Sequence, residues 1–201
     1  MGLNGPSQNY AAPERSGVAV PLVPKKGCRG FFNFNEWVEA VAFALAAVVI
    51  LFGFVFKIVM VDGDSMLPTL HTGDRVIVSH LFYEPEQGDI VVITKDTIHK
   101  KPLIKRVIAT EGQTINIDFE SGTVQVDGRV LSEPYIKEMT HLKGIYGFQY
   151  PVTVPENCVF VMGDNRNDSS DSRDLGFIRE DQILGEAVFR IFPLPDIGAL
   201  D

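Results

Sequence analysis

The chain has 201 residues and a mass of 22.2 kDa, with 45% hydrophobic and 22% charged residues; this excludes a disordered tail or a collagen-like fibre and allows one ordinary domain with additions. A formal charge of −8 and a sequence pI near 5.0 argue against nucleic-acid binding, which needs a basic face, and two cysteines are too few for a disulfide-stapled mini-domain. The charge is unevenly spread: residues 1–60 carry 5 basic and 3 acidic side chains, net +2, leaving 13 basic and 23 acidic, net −10, for the remainder. The two parts suit different surroundings.

Residues 1–36 are rich in Gly, Pro, Ser and Asn without apolar periodicity, and Pro6, Pro13, Pro21 and Pro24 interrupt any helix. A disordered tail is expected. An apolar run then extends from Ala40 to Phe56 and continues through Ile58 to Val61 around the single Lys57. Those 22 residues make a helix about 33 Å long, matching a hydrocarbon core of about 30 Å. A buried helix of a soluble protein would keep a polar face. A cleaved secretory leader would be shorter, nearer the N-terminus and followed by small residues, whereas Phe56-Lys57-Ile58 follows here. The expectation is an uncleaved membrane anchor over residues 37–61, with Trp37 as its interfacial aromatic. Arg15, Lys25, Lys26 and Arg29 precede it and Lys57 alone lies at its far end, which puts the N-terminus in the cytoplasm and residues 62–201 outside. Cys28 and Cys158 then fall on opposite sides, and no disulfide is expected.

Beyond residue 61 the pattern changes to short strands. Arg75–Val78 follows the Gly73-Asp74 turn, and Gly88-Asp89 introduces Ile90–Ile93. Leu103–Ala109, Thr114–Phe119 and Thr123–Val126 come next, and Asp127-Gly128 has the sequence of a type I′ turn leading into Arg129–Leu131. Val152–Val154, Cys158–Met162 and Ile183–Phe192 complete the series. Turn signals about every ten residues predict an all-β domain, a barrel or folded sheet system, over residues 62–201.

Four patches carry chemical information. Gly63-Asp64-Ser65-Met66-Leu67-Pro68 presents a serine hydroxyl on a tight turn whose backbone N–H groups can converge on an oxyanion; read alone, it is also an ordinary turn. In Leu103–Ala109, strand alternation puts Lys105 with Leu103 and Val107, and Arg106 with Ile104 and Ile108. One of the two cations therefore enters an apolar layer. Lys105 is the better candidate, because burial leaves a lysine neutral and competent as a base while arginine stays charged; the competing reading is an edge strand with both in solvent. The segment Gly163–Arg173 is dense in Asp, Asn, Ser and Arg. Its Asp164, Asp168 and Asp171 do not follow the calcium-loop pattern, and Arg166 and Arg173 oppose a cation, so a supporting loop is expected and no metal. Gly88-Asp89-Ile90-Val91-Val92 reads as a structural turn feeding a buried strand.

In this order the patches closely resemble the bacterial type I signal peptidases, membrane-bound leader peptidases, of the short single-anchor kind. The resemblance covers the anchor and nearly all of residues 58–192, through Gly-Asp-Ser-Met-x-Pro-Thr-Leu at 63–70, Gly-Asp-Ile-Val-Val at 88–92, Ile-Lys-Arg-Val at 104–107, and Gly-Asp-Asn-Arg-x-x-Ser-x-Asp-Ser-Arg at 163–173 with Gly-Phe-Ile at 176–178. It implies an all-β Ser/Lys protease domain behind one transmembrane helix, with Ser65 as nucleophile and Lys105 as general base. It further implies that Ser169 orients the lysine, that Asp171 and Arg173 form a supporting ion pair, and that the Ser65 N–H is an oxyanion donor. Gly63 stands where enterobacterial members place a second donor hydroxyl, and Ala109–Gln113 departs from the family's Gly-x-Pro-Gly-Asp. The implied substrates are signal peptides of secreted preproteins, bound as an added strand and cut after A-x-A sites. Asp64, Met66, Leu67 and Pro68 are the candidate substrate contacts, with lipid as a second possible contact for Met66 and Leu67. The implied partners are these peptides and the lipid bilayer, with no cofactor; nothing in the sequence points to an oligomeric state. Three other readings compete. They are an esterase using Asp96-x-x-His99, a soluble Ser-Lys autoprotease, and an anchored non-catalytic binding module. His71, His80 and His141 read as surface residues.

Overall fold

A computed structural model describes Met1 and residues 34–94 and 101–200. The expected tail, with its basic residues and Cys28, lies almost wholly outside the described residues, as do Asp96 and His99. The chain divides into two units, Met1–Ala42 and Phe43–Asp201. Helix α1, Phe34–Val55, is 22 residues long and therefore about 33 Å; by length and composition it is able to cross a membrane. It is shorter at its C-terminal end than the anchor expected over 37–61. Phe56–Met60 leave the helix and form strand β1, paired antiparallel with β2, Arg75–Ser79. The reason is competition for backbone partners: Phe56 and Met60 are in register with Ser79 and Arg75, and the Val61 N–H donates to the Asp74 carbonyl at 2.9 Å. An apolar run rich in Ile and Val satisfies helix and strand patterns equally, and the tertiary pairing decides.

The remaining strands are β3 (Ile90–Ile93), β4 (Leu103–Ala109), β5 (Thr114–Asp118), β6 (Thr123–Val126), β7 (Arg129–Val130), β8 (Val152–Thr153), β9 (Cys158–Met162), β10 (Ile178–Arg179), β11 (Ile183–Phe192) and β12 (Gly198–Ala199). One antiparallel sheet has the order β1-β2-β11-β3-β4-β9-β10, with β12 added to β11; a second has the order β7-β6-β5-β8. The fold is mainly β, and the expected strands fall within a residue or two of their positions. The two-residue strands β10 and β12 and the one-turn helix α2, Ser172–Leu175, are too short to leave a pattern in the sequence.

Both faces of the large sheet are covered at its centre, so β3 is apolar throughout rather than alternating. Ile90 and Val92 pack with Val61, Met66, Leu70, Val76, Val78 and Ile104 on one side, while Val91 and Ile93 pack with Val107, Val159, Val161 and Ile178 on the other. Met66 and Leu70 thus tie the serine turn into the first of these cores. The small sheet closes over Ile108, Phe160 and Met162, where Phe148, Phe160 and Phe177 form an aromatic cluster. The Gly88-Asp89 patch is structural as expected: Asp89 accepts from the Tyr83 hydroxyl at 2.6 Å and the Glu86 N–H at 2.9 Å. His71 and His141 are exposed and His80 is half-buried.

Strand β11 serves β2, β3 and β12 together by shifting register, first between Ile183 and Gly185. Gly185 has φ +154°, and a Cβ there would run into the Ser79 carbonyl of β2. Gly185→Ala should therefore cost about 1–3 kcal/mol, the range for forcing a methyl group into a packed site, read as a lower urea midpoint for the full chain in detergent. An unchanged midpoint would show that the bulge relaxes freely.

Candidate active site

The serine turn is fixed at both ends before it meets any other group. Gly63, at φ +118°, donates its N–H to Thr72 Oγ1 at 3.0 Å, and the Leu70 N–H donates to the Met66 carbonyl at 2.9 Å. A side chain at 63 would have open space around it, so the backbone conformation, rather than room, favours glycine there. Ser65 is left half-buried with its hydroxyl directed at β4.

Lys105 projects from β4 beside that hydroxyl. Its Nζ is 2.7 Å from Ser65 Oγ and 3.0 Å from the Ile104 carbonyl, and the residue is 2% exposed. Burial penalises the ammonium and lowers the pKa from the ordinary 10.5 to about 8, against the opposing pull of Asp171 and Asp164. The expectation that only one of the two cations is buried does not hold, since Arg106 is 1% exposed. Its guanidinium is matched there: Asp164 accepts from it through two 3.0 Å bonds, the Gly88 carbonyl accepts from it at 2.7 Å, and the Tyr135 ring centre lies 4.0 Å from its guanidinium carbon.

The polar segment 163–173 forms the wall behind the pair. Asp164 accepts from Thr69 Oγ1 as well as from Arg106. The Asn165 N–H donates to the Ser65 carbonyl at 2.9 Å, and its Nδ2 donates to the Asp64 carbonyl at 3.0 Å. Asp171 accepts from Arg173 Nε at 2.9 Å and Nη2 at 2.8 Å and from the Gly163 N–H at 3.0 Å, and it caps α2. Arg166 reaches out of the segment to Glu133 at 2.6 Å. The Asp164 and Asp171 carboxylates are thus engaged by arginines, and no metal-holding cluster of His, Cys, Asp or Glu occurs among the described residues.

Ser169 is brought beside Gly163, where a Cβ would strike both its hydroxyl and the Ser65 carbonyl, but it does not bond Lys105. Its Oγ is buried and has no hydrogen-bond partner among the described residues. The four candidate substrate contacts separate. A cleft of about 430 Å³ is lined by Val59–Gly63, Ser65 and Met66 on one wall and by 101–105 on the other. Of the four, Met66 alone lines it, and Met66 is also a core residue. Asp64 accepts from Thr72 Oγ1 at 3.2 Å, and neither Leu67 nor Pro68 lines the cleft. The cleft walls from β1 and residues 101–105 are not legible in the sequence, because β1 reads as more helix. Cys158 is a free thiol.

Residues 34–192 match the family model described as signal peptidase, peptidase S26. A signal peptidase I of Bacillus amyloliquefaciens is 38% identical over 88% of this chain and 95% of its own, and signal peptidase I S of Bacillus subtilis is 36% identical over 81% and 91%. The solved structure of a signal peptidase I from Enterococcus faecalis aligns at 24% identity and a TM-score of 0.40 over 52% of this chain and 97% of its own. The chain belongs to the signal peptidase family, peptidase S26, and is thereby a serine peptidase.

The burial of Lys105 sets a stability test. Its folded-state pKa of about 8 lies below the ordinary 10.5, so between those values the unfolded chain binds more protons and stability rises with pH; below 8 the native state bears the full cost, about 3 kcal/mol. Lys105→Met should raise the urea midpoint at pH 7, and the gain should shrink steadily between pH 8 and 10.5. A parent at least as stable as the variant at pH 7 would contradict a desolvated amine.

Proposed function

We propose that this chain is a type I signal peptidase that uses Ser65 and Lys105 as a catalytic dyad. The observation that carries the reading is a buried amine 2.7 Å from a serine hydroxyl, with the nearby carboxylates engaged by arginines. The neutral amine takes the Ser65 Oγ proton as that oxygen attacks the scissile carbonyl carbon, and the Ser65 N–H receives the developing oxyanion. The lysine ammonium then gives its proton to the leaving amine, so that the peptide C–N bond breaks and an ester on Ser65 remains. Water, deprotonated by the same amine, attacks the ester carbon; the ester C–O bond breaks, the lysine ammonium returns its proton to Ser65 Oγ, and the new acid leaves as a carboxylate with its proton lost to solvent.

The substrate is the extended C-region of a signal peptide on a secreted preprotein. It enters as a strand between two free backbone edges. Among the described residues β1 pairs with β2 alone, and β4 meets β9 only from Arg106 onward, leaving Leu103–Lys105 open on that side. Small residues at the first and third positions before the cut fit a cleft of this size. Ser169, buried and unpaired beside Gly163, is the hydroxyl assigned to orient the amine during turnover, and the Asp171–Arg173 pair holds the loop that carries it. Helix α1 anchors the enzyme as a single span in the lipid bilayer. Arg15, Lys25, Lys26 and Arg29 hold the N-terminus in the cytoplasm and leave the β domain outside.

With a preprotein bearing an A-x-A site, Ser65→Ala and Lys105→Ala should each lower cleavage by at least about 10⁴-fold, as loss of a nucleophile or its partner does elsewhere. The parent's rate should rise with pH and level off above an inflection near 8, as the Lys105 ammonium gives way to the amine. Cleavage retained by either variant would remove the dyad. A parent that binds the preprotein without cutting it would favour a binding module.

A further inference from the structure

The Asp64 carbonyl accepts two hydrogen bonds, one from the Leu67 N–H within the turn at 3.2 Å and one from a side chain outside it. Asn165, 1% exposed, donates Nδ2 to the Asp64 carbonyl at 3.0 Å and its own N–H to the Ser65 carbonyl at 2.9 Å. A trans amide carries its C=O and N–H on opposite edges, so a fixed Asp64 carbonyl aims the Ser65 N–H away from Asn165. Asn165 is not part of the cleft lining, whereas Ser65 is. Gly63 brings no hydroxyl to this end of the cleft, so the direction of that one N–H matters more here than in a site with two donors.

We propose that Asn165 is a positioning residue for the oxyanion: its side-chain amide sets the direction of the Ser65 N–H, leaving ground-state peptide binding and proton transfer to Lys105 to other groups. The proposal rests on Ser65 being the nucleophile. A peptide aldehyde ending in an A-x-A sequence separates the contributions. Ser65 Oγ adds to its carbonyl carbon, the carbonyl π pair moves onto oxygen, and Lys105 receives the hydroxyl proton, giving an oxyanion without cleavage. The matching peptide alcohol has no carbonyl at that position and reports ground-state binding alone.

The test uses the full chain in detergent with Asn165→Leu, which keeps the side chain's size and loses the donor without adding a charge, and Asn165→Ala. Both should lower kcat by about 10²-fold, near the effect of losing one oxyanion donor, and weaken the aldehyde by a similar factor. KM, alcohol affinity and the pH inflection near 8 should stay within twofold of the parent. Unchanged kcat and aldehyde affinity, equal weakening of aldehyde and alcohol, or a moved pH inflection would each overturn the proposal. In the parent itself the Ser65 amide proton should shift downfield when the aldehyde binds, and no shift also overturns it, even if neither variant folds. Ser65→Ala, run alongside, distinguishes the two levels: if it still cleaves, the nucleophile assignment fails, whatever Asn165 does.

Discussion

An amine can act as a base near neutral pH only if burial outweighs the carboxylates around it. Lys105 is placed under that constraint by its strand: β4 pairs with β3, which puts Val91 directly across from the lysine, and β9 joins β4 from the next residue, Arg106. Asp164 and Asp171 both pull its pKa upward, and the rest of the site limits that pull. Arg106 takes Asp164 and Arg173 takes Asp171, each through two guanidinium nitrogens. A lone buried carboxylate would instead find the lysine and fix it as an ammonium. The ion pairs are thus part of what leaves Lys105 to Ser65.

The same pairs set distances. Asp164 holds Arg106, the neighbour of Lys105, and Thr69, four residues after Ser65, while Asn165 holds the turn at Asp64 and Ser65. Two consecutive residues therefore connect the strand carrying the amine to the turn carrying the hydroxyl. The hydrophobic contribution is separate and less directional: Met66 and Leu70 press the turn into the core formed by Val76, Val78, Ile90 and Val92. Burial fixes how deep the turn sits, and the hydrogen bonds fix which way its peptide units face.

Much of the fold was legible because its strands are apolar runs bounded by turn residues. Ile90–Ile93, Leu103–Ala109, Cys158–Met162 and Ile183–Phe192 lie at their expected positions. Strand β1 was hidden because Phe-Lys-Ile-Val-Met continues the apolar composition of the helix, and only its pairing with β2 distinguishes it. Within the site, Ser65 and Lys105 stood out as chemistry on a turn and on a strand. The burial of Arg106 was not visible because its partner Asp164 is 58 residues away. Asp64, Leu67 and Pro68 are expected at the substrate through closeness to Ser65 in sequence, and they do not line the cleft. The walls that line the cleft come from β1 and residues 101–105, which no local pattern brings together.

The junction between α1 and β1 has no connecting residues: Val55 ends the helix and Phe56 begins the strand. Val59, where the cleft wall begins, is four residues past the helix end, a separation of about 13 Å along a strand. No slack chain intervenes, so the stand-off of the cleft from the helix end is set by covalent geometry and strand pairing rather than by the wandering of a tether. The enzyme carries its own ruler, and β1 is both its scale and one wall of the cleft.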